Sequence, residues 1–207
     1  MIGTLYIVST PIGNLEDFSF RALRILKEVD VILCEDTRVT KKLLSHYEVH
    51  TPVLSYHQHS KEPKMEQVLK KLEIGNNVAL VTDAGTPGVS DPGNELIAFL
   101  LEKNSDIIVV PIPGPSAVAA ISSIAGIGMD KFLFMGYPPQ KKRRNQFFQE
   151  VIEAIHPVVL YESPHRIRKT LEELQSLDDA LLVVVGRELT KQFETVYRGH
   201  IPEVLSE

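Results

Sequence analysis

Three stretches of the chain combine small residues with a pre-set backbone, as a pocket gripping its ligand through main-chain groups requires. The first is Thr10-Pro11-Ile12-Gly13-Asn14-Leu15, the second runs from Thr82 and Asp83 through Ala84, Gly85 and Val89 to Gly93, and the third is Pro111 to Ala117, with Pro115 and Ser116. Glycine lets a ligand approach the backbone closely, and proline fixes a loop before the ligand arrives. Any one of these stretches alone reads as a turn. Three of them, each directly after a strand-like run, point to one shared pocket beyond the carboxyl ends of parallel strands. Neither G-x-x-x-x-G-K-[ST] nor G-x-G-x-x-G occurs, so a P-loop NTPase or a conventional dinucleotide fold is not supported. Asp83 gives the pocket one acidic group.

Glu35 and Asp36 follow the apolar run Val31–Cys34 and are candidates for accepting a proton; Glu35-Asp36-Thr37-Arg38 reads equally as a helix cap with an ion pair. His57 and His59 come second. As a metal pair they lack a third ligand and a nearby cysteine, so no metal is expected. Cys34, the single cysteine, precludes an intramolecular disulfide and suits a small core position. The net charge is −5, which argues against non-specific coating of nucleic acid. Residues 131–149 nevertheless carry five basic side chains and no acidic one: Lys131, Lys141, Lys142, Arg143 and Arg144. Such an island fits local contact with one anionic partner, or simply a solvated loop.

The elements that must position these residues alternate in type. Apolar runs at Thr4–Ser9, Val31–Cys34, Val78–Val81, Ile107–Ile112, Phe132–Met135, Val158–Tyr161 and Leu181–Val185 are of strand length, and most are continuous, as in strands buried on both faces. Helical periodicity covers Phe20–Val29, Val39–Tyr47, Met65–Leu72, Glu95–Leu101, Ala117–Ile124, Phe147–Ile155 and Ile167–Leu174. In the first helix Phe20, Leu23, Leu26 and Val29 form the expected apolar face, with Asp17 or Ser19 as cap. This alternation predicts an α/β protein with mostly parallel sheets. Loops rich in Gly and Pro give way to loops rich in Arg, Lys, His and Glu near Gly128, which predicts domains at 1–128 and 129–207. Apolar runs are too short for a bilayer and the N-terminus enters a strand at once, so a cytoplasmic location is expected.

At this level of detail the loops resemble a known family. Residues 9–17, Glu35-Asp36-Thr37-Arg38, residues 83–93, Pro113-Gly114-Pro115-Ser116-Ala117, Glu162-Ser163-Pro164-His165-Arg166 and Arg187-Glu188-Leu189-Thr190-Lys191 are similar, in order, to the motifs of the ribosomal RNA small subunit methyltransferase I family. The resemblance implies the tetrapyrrole-methylase fold (class III methyltransferase), two α/β domains with S-adenosylmethionine in the cleft between them, and a homodimer. It implies 2′-O-methylation of a cytidine ribose in the decoding region of 16S rRNA in the small subunit. It places Thr10, Pro11, Gly13, Asp83, Ala84, Gly85, Val89, Pro115, Ser116, Ala117 and Tyr137 at the cofactor. S-adenosylmethionine, with an amino-acid end, a ribose, an adenine and a sulfonium cation, suits such loops. Members of the family continue beyond this endpoint, so the second domain is expected to be truncated, just as Pro202-Glu203-Val204 begins a helix.

A ribose hydroxyl is a poor nucleophile at neutral pH, which gives Glu35, Asp36 or His57 a task as proton acceptor. The candidates for RNA contact are Arg38, Lys141, Lys142, Arg143, Arg144, Glu162, His165, Arg166 and Arg187, with Arg168 beside them; arginine can clamp a phosphate with two hydrogen bonds. Phe147, Phe148 and Tyr161 can stack on a base, but core packing is the simpler expectation. The competing functions are a same-fold methylase of a tetrapyrrole or protein histidine, and a non-catalytic RNA-binding assembly factor. A nucleotide hydrolase is disfavoured by the missing P-loop. Neither a membrane nor DNA is an expected partner.

Overall fold

The computed structural model of the chain describes residues 1–57 and 62–207. The chain divides into two compact units, Met1–Ser116 and Ala117–Glu207.

Among the described residues of the first unit, five parallel strands alternate with four α-helices. They are β1 (Thr4–Val8), α1 (Phe20–Glu28), β2 (Val31–Cys34), α2 (Thr37–His46), β3 (Val53–Ser55), α3 (Glu62–Glu73), β4 (Val78–Leu80), α4 (Asn94–Lys103) and β5 (Ile108–Ile112). The sheet order is β3-β2-β4-β1-β5. Alternate strand residues face opposite layers: Leu5, Val31, Leu33, Val78 and Leu80 pack with α3 and α4, whereas Val8, Ile32, Cys34, Ala79 and Val81 pack with α1 and α2. Helices therefore cover both faces, and the central strands β2 and β4 are buried along their whole length, as continuous apolar runs require. Each large aliphatic side chain buried in this way contributes about 1.5–3 kcal/mol.

α1 begins at Ser19, whose hydroxyl accepts from the Ala22 N–H at 3.1 Å. Its buried face is Ala22, Ile25 and Leu26, continued by Val29. Phe20, expected on that face, is 92% exposed. The spacing Phe20–Leu23–Leu26 fits one stripe, but the 3.6-residue repeat turns Phe20 away once Ile25 and Val29 are seated.

The second unit contains α5 (Ala117–Ile124), β6 (Leu133–Gly136), α6 (Arg144–Glu153), β7 (Val158–Leu160), α7 (Ile167–Gln175), β8 (Leu182–Arg187), β9 (Thr195–His200) and α8 (Ile201–Ser206). β6 and β7 are parallel, while β8 and β9 form an antiparallel hairpin. Phe148, Leu171, Leu174, Ile201 and Val204 make the core, with Phe147 packed against it. β8 is not buried on both faces, since Leu182 is exposed. The division between units falls before α5 rather than near Gly128. α5 is held by its own unit: Arg198 Nη2 donates to the Ile124 carbonyl at 2.6 Å, and Ile121 Cδ1 fills the space where a side chain on Gly186 would begin. Among the described residues no helix is long and apolar enough to cross a membrane.

Candidate functional site

β1 lies between β4 and β5, so the loops that leave these three strands are neighbours at one end of the sheet. α1 departs from β1 onto one face and α4 from β4 onto the other. Connections that diverge in this way open a crevice above the strand ends, where α/β sheets bind ligands.

Hydrogen bonds join the three loops. Thr10 and Gly85 exchange backbone bonds of 2.8 and 3.0 Å, and the Thr10 hydroxyl donates to the Thr82 carbonyl at 3.1 Å. The Thr86 hydroxyl donates to the Pro115 carbonyl at 3.2 Å and sits 2.9 Å from the Ser9 hydroxyl. Because Thr86 has one proton to give, Ser9 donates in that pair. A Cβ on Gly114 would lie 2.9 Å from Ser9 Cβ, so this crossing is closed to larger residues. Gly85 and Gly88 hold φ of +85° and +84°, and Asn94 Nδ2 fastens the loop by donating to the Gly88 carbonyl at 2.9 Å. The first loop is anchored at its far end, where the Tyr47 hydroxyl donates to the Leu15 carbonyl.

Of the residues expected at a cofactor, Thr10, Pro11 and Gly85 are buried in this framework, and Val89, Pro115 and Ser116 are half-buried. Gly13, Asp83 and Ala84 are exposed at its rim. Ala117 and Tyr137 belong to the second unit, where Tyr137 is exposed with its ring 5.4 Å from that of Tyr161.

The carboxylates sort into distinct environments. Asp36, expected as a proton acceptor, is instead the cap of α2: its Oδ1 accepts from the Arg38 N–H at 2.8 Å, and the Arg38 guanidinium grips both oxygens. That engagement holds its pKa at about 2, which makes it a poor base near neutrality. Arg38 pairs with Asp36 while its side chain remains 88% exposed. Glu35 and His57 are exposed at the ends of β2 and β3, and His59 lies outside the described residues. Among the described residues no group of three His, Cys, Asp or Glu is arranged to hold a metal.

Asp91 was not singled out by the sequence. Burial first, then the negative charges of Glu35 and Asp83, push its pKa up to about 6. Its place in the Gly-rich loop after β4 was the available signal. A carboxylate with a raised folded-state pKa favours folding below its unfolded value near 3.8 and loses that contribution as pH rises through about 6. Asp91→Asn is therefore expected to be more stable than the parent at pH 7, by about 1–2 kcal/mol after discounting for solvent screening. The advantage should vanish by pH 4. Urea unfolding at both pH values checks this, and an equal difference at the two would refute it.

In the second unit, the loops after β6 and β7 also meet, with Tyr161 N–H donating to the Gly136 carbonyl at 2.9 Å. Lys141, Lys142, Arg143 and His165 are exposed there, and Arg187 is exposed at the end of β8. Two expected substrate contacts are not: Arg144 and Glu162. Arg144 has a side chain 9% exposed, bound to Glu173, Thr170 and the Pro139 carbonyl and lying over Phe148. Glu162 is 3% exposed and bound to Ser163 N–H, Thr170 and Arg166. Both hold the loops from inside.

Residues 4–205 match the family profile of the Tetrapyrrole (Corrin/Porphyrin) Methylases. A Synechocystis protein named ribosomal RNA small subunit methyltransferase I is 45% identical over 99% of this chain and 74% of its own length. Proteins of the same name from Bacillus subtilis and Escherichia coli O157:H7 are each 42% identical over 99% of the chain, covering 70% and 71% of theirs. The chain belongs to the ribosomal RNA small subunit methyltransferase I family of tetrapyrrole methylases. The cobalt precorrin-4 methyltransferase CbiF shares the fold at TM-score 0.70 and 20% identity, over 97% of this chain and 87% of that one. The uroporphyrin III C-methyltransferase of Thermus thermophilus does so at 0.65 and 19%, over 99% and 91%.

Tetrapyrrole methylases use S-adenosylmethionine. The loop cluster of the first unit fits that group. Residues 9–17, 82–93 and 111–117 contain no Lys or Arg, which suits a ligand without phosphates, and the exposed Asp83 suits one bearing positive charge. The positive-φ glycine at position 85 lets the second loop turn back to exchange backbone bonds with Thr10.

Proposed function

We propose that the chain methylates the 2′-hydroxyl of a cytidine in the decoding region of 16S rRNA, in the small ribosomal subunit. The observation that carries this reading is the set of relatives named for ribosomal RNA small-subunit methylation, 42–45% identical over 99% of the chain. The loops at Thr10–Gly13, Asp83–Val89 and Pro115–Ser116 hold S-adenosylmethionine through main-chain groups. That cofactor, when bound, supplies a methyl group made electrophilic by the sulfonium. The chain's own part is to align the ribose oxygen and to exclude competing water, and such positioning is a large source of rate. Asp91, its pKa raised to about 6, is better suited than Asp36 to take the hydroxyl proton.

RNA binds at the exposed cations of the second unit, foremost Lys141, Lys142 and Arg143. Replacing all three by glutamine is expected to weaken RNA binding at low salt and to reduce the slope of log affinity against log salt by about 2. Cofactor affinity should not change. Filter binding across a salt series measures the slope, and a wild-type slope would remove these residues from the interface.

The decisive experiment is transfer of tritiated methyl from S-adenosylmethionine to small subunits from a strain lacking this gene, followed by mapping of the modified nucleotide. Label on one decoding-region cytidine ribose is expected. Label elsewhere, or on protein, sinks the assignment.

A further inference from the structure

We propose that Glu162, Thr170 and Arg144 form a buried chain that positions Arg166 as a phosphate clamp for the RNA, a proposal that rests on the RNA reading above. Arg166 closes the turn after β7, its N–H bonded to the Ser163 carbonyl at 3.0 Å. Among the described residues its guanidinium is fixed along one edge: Nε donates to the Ser163 hydroxyl at 3.2 Å and Nη2 pairs with Glu162 Oε1 at 2.8 Å. The Nη1 donors are left for a ligand, and the side chain is 28% exposed. An arginine already held by a carboxylate loses little freedom when it grips a phosphate.

Behind Arg166 the Thr170 hydroxyl fixes the direction of the chain. Glu162 Oε1 also accepts from Ser163 N–H at 2.7 Å, and its Oε2 accepts from the Thr170 hydroxyl at 2.7 Å. Thr170 has then given its only proton, so it accepts from Arg144 Nη2 at 2.8 Å. Arg144 completes the chain on Glu173 Oε2 at 2.6 Å and the Pro139 carbonyl at 3.0 Å. Two arginines and two glutamates thus balance in charge. Buried ion pairs add little net stability over apolar packing, so stability is a weak reason for such an arrangement. Its placement supplies a better one. Lys141, Lys142 and Arg143 lie between Pro139 and Arg144, both of which the chain pins, and Arg166 stands at its other end.

The test compares three variants by KM for small-subunit RNA, salt dependence of RNA affinity, and calorimetric affinity for S-adenosylmethionine. Arg166→Ala is expected to raise KM about tenfold and to lower the salt slope by about 1, the mark of a lost phosphate contact. Thr170→Val breaks the chain while leaving Arg166 in place. It should raise KM about threefold to tenfold with the slope unchanged, and Thr170→Ser should restore both values. Glu162→Gln serves if Thr170→Val folds poorly: it keeps an acceptor for Ser163 and removes the charge facing Arg166, with the same expected rise in KM. An unchanged slope in Arg166→Ala, or wild-type KM in both Thr170→Val and Glu162→Gln, overturns the proposal. Wild-type protein that methylates no ribosomal RNA overturns the substrate reading instead, which the parent assay reports separately.

Discussion

An Arg144→Ala protein unfolds with a free energy about 3–5 kcal/mol below that of the parent. The removed guanidinium satisfies three partners at once, Glu173, Thr170 and the Pro139 carbonyl, and covers the Phe148 ring at 4.7 Å. Alanine leaves Glu173 with only the more distant Lys169, 3.8 Å away, and opens a cavity against Phe148, a core residue. Against a typical domain stability of about 5–15 kcal/mol, the loss consumes a large fraction of what holds the second unit. Arg144→Lys should recover only part, because one ammonium lacks the planar fork that reaches three acceptors. Urea denaturation followed by circular dichroism gives the numbers, and a cost under about 1 kcal/mol for alanine would show that the site relaxes freely.

Gly88→Ala should weaken S-adenosylmethionine binding at least tenfold. The residue stands at φ +84°, where a Cβ costs about 1–2 kcal/mol in backbone strain. That Cβ would also fall 2.8 Å from Asn94 Oδ1, displacing the side chain that ties the loop to the start of α4. A loop shift of about 1 Å can cost about a hundredfold in function when ligand contacts are made by the backbone. Gly126→Ala is the matched control. It shares a positive φ, +75°, but its Cβ would meet nothing within 4 Å. Calorimetry on both variants separates backbone strain from loop displacement; equal affinities would argue that the 85–93 loop does not hold the cofactor.

Much of the first unit was legible because its signals are local. Val31–Cys34 is an unbroken apolar run, and burial on both faces is what such a run means. The Gly/Pro loops were visible for the same reason, since a positive φ at Gly85 or Gly88 leaves its trace as a residue type. β3 was missed: Val53-Leu54-Ser55 is three residues long and gains its strand conformation by lying beside β2. β9 was missed because Thr195–His200 contains no continuous apolar run and is defined by pairing with β8.

The site residues divide along the same line. A basic run such as Lys141-Lys142-Arg143-Arg144 looks uniform in sequence, yet Arg144 opens α6 and turns inward while its neighbours stay exposed. Which arginine goes inside is decided by Thr170 and Glu173, some 26 and 29 residues away. Asp36 and Asp91 are likewise both loop carboxylates in the sequence. One meets a guanidinium, while the other is buried and then meets two like charges, and only the tertiary structure distinguishes them.

The direction of the Arg144–Thr170–Glu162–Arg166 chain has a consequence for engineering. Its bonds join the loop after β7 to two separate helices and to the segment before α6. Moving the motif 162–166 alone into another scaffold would carry the arginine with its two direct partners, Glu162 and Ser163, but would leave that glutamate with no Thr170 hydroxyl behind it. A graft that keeps the clamp must bring positions 144 and 170 along with the motif 162–166, so the smallest transplantable part is scattered in sequence and inseparable in use.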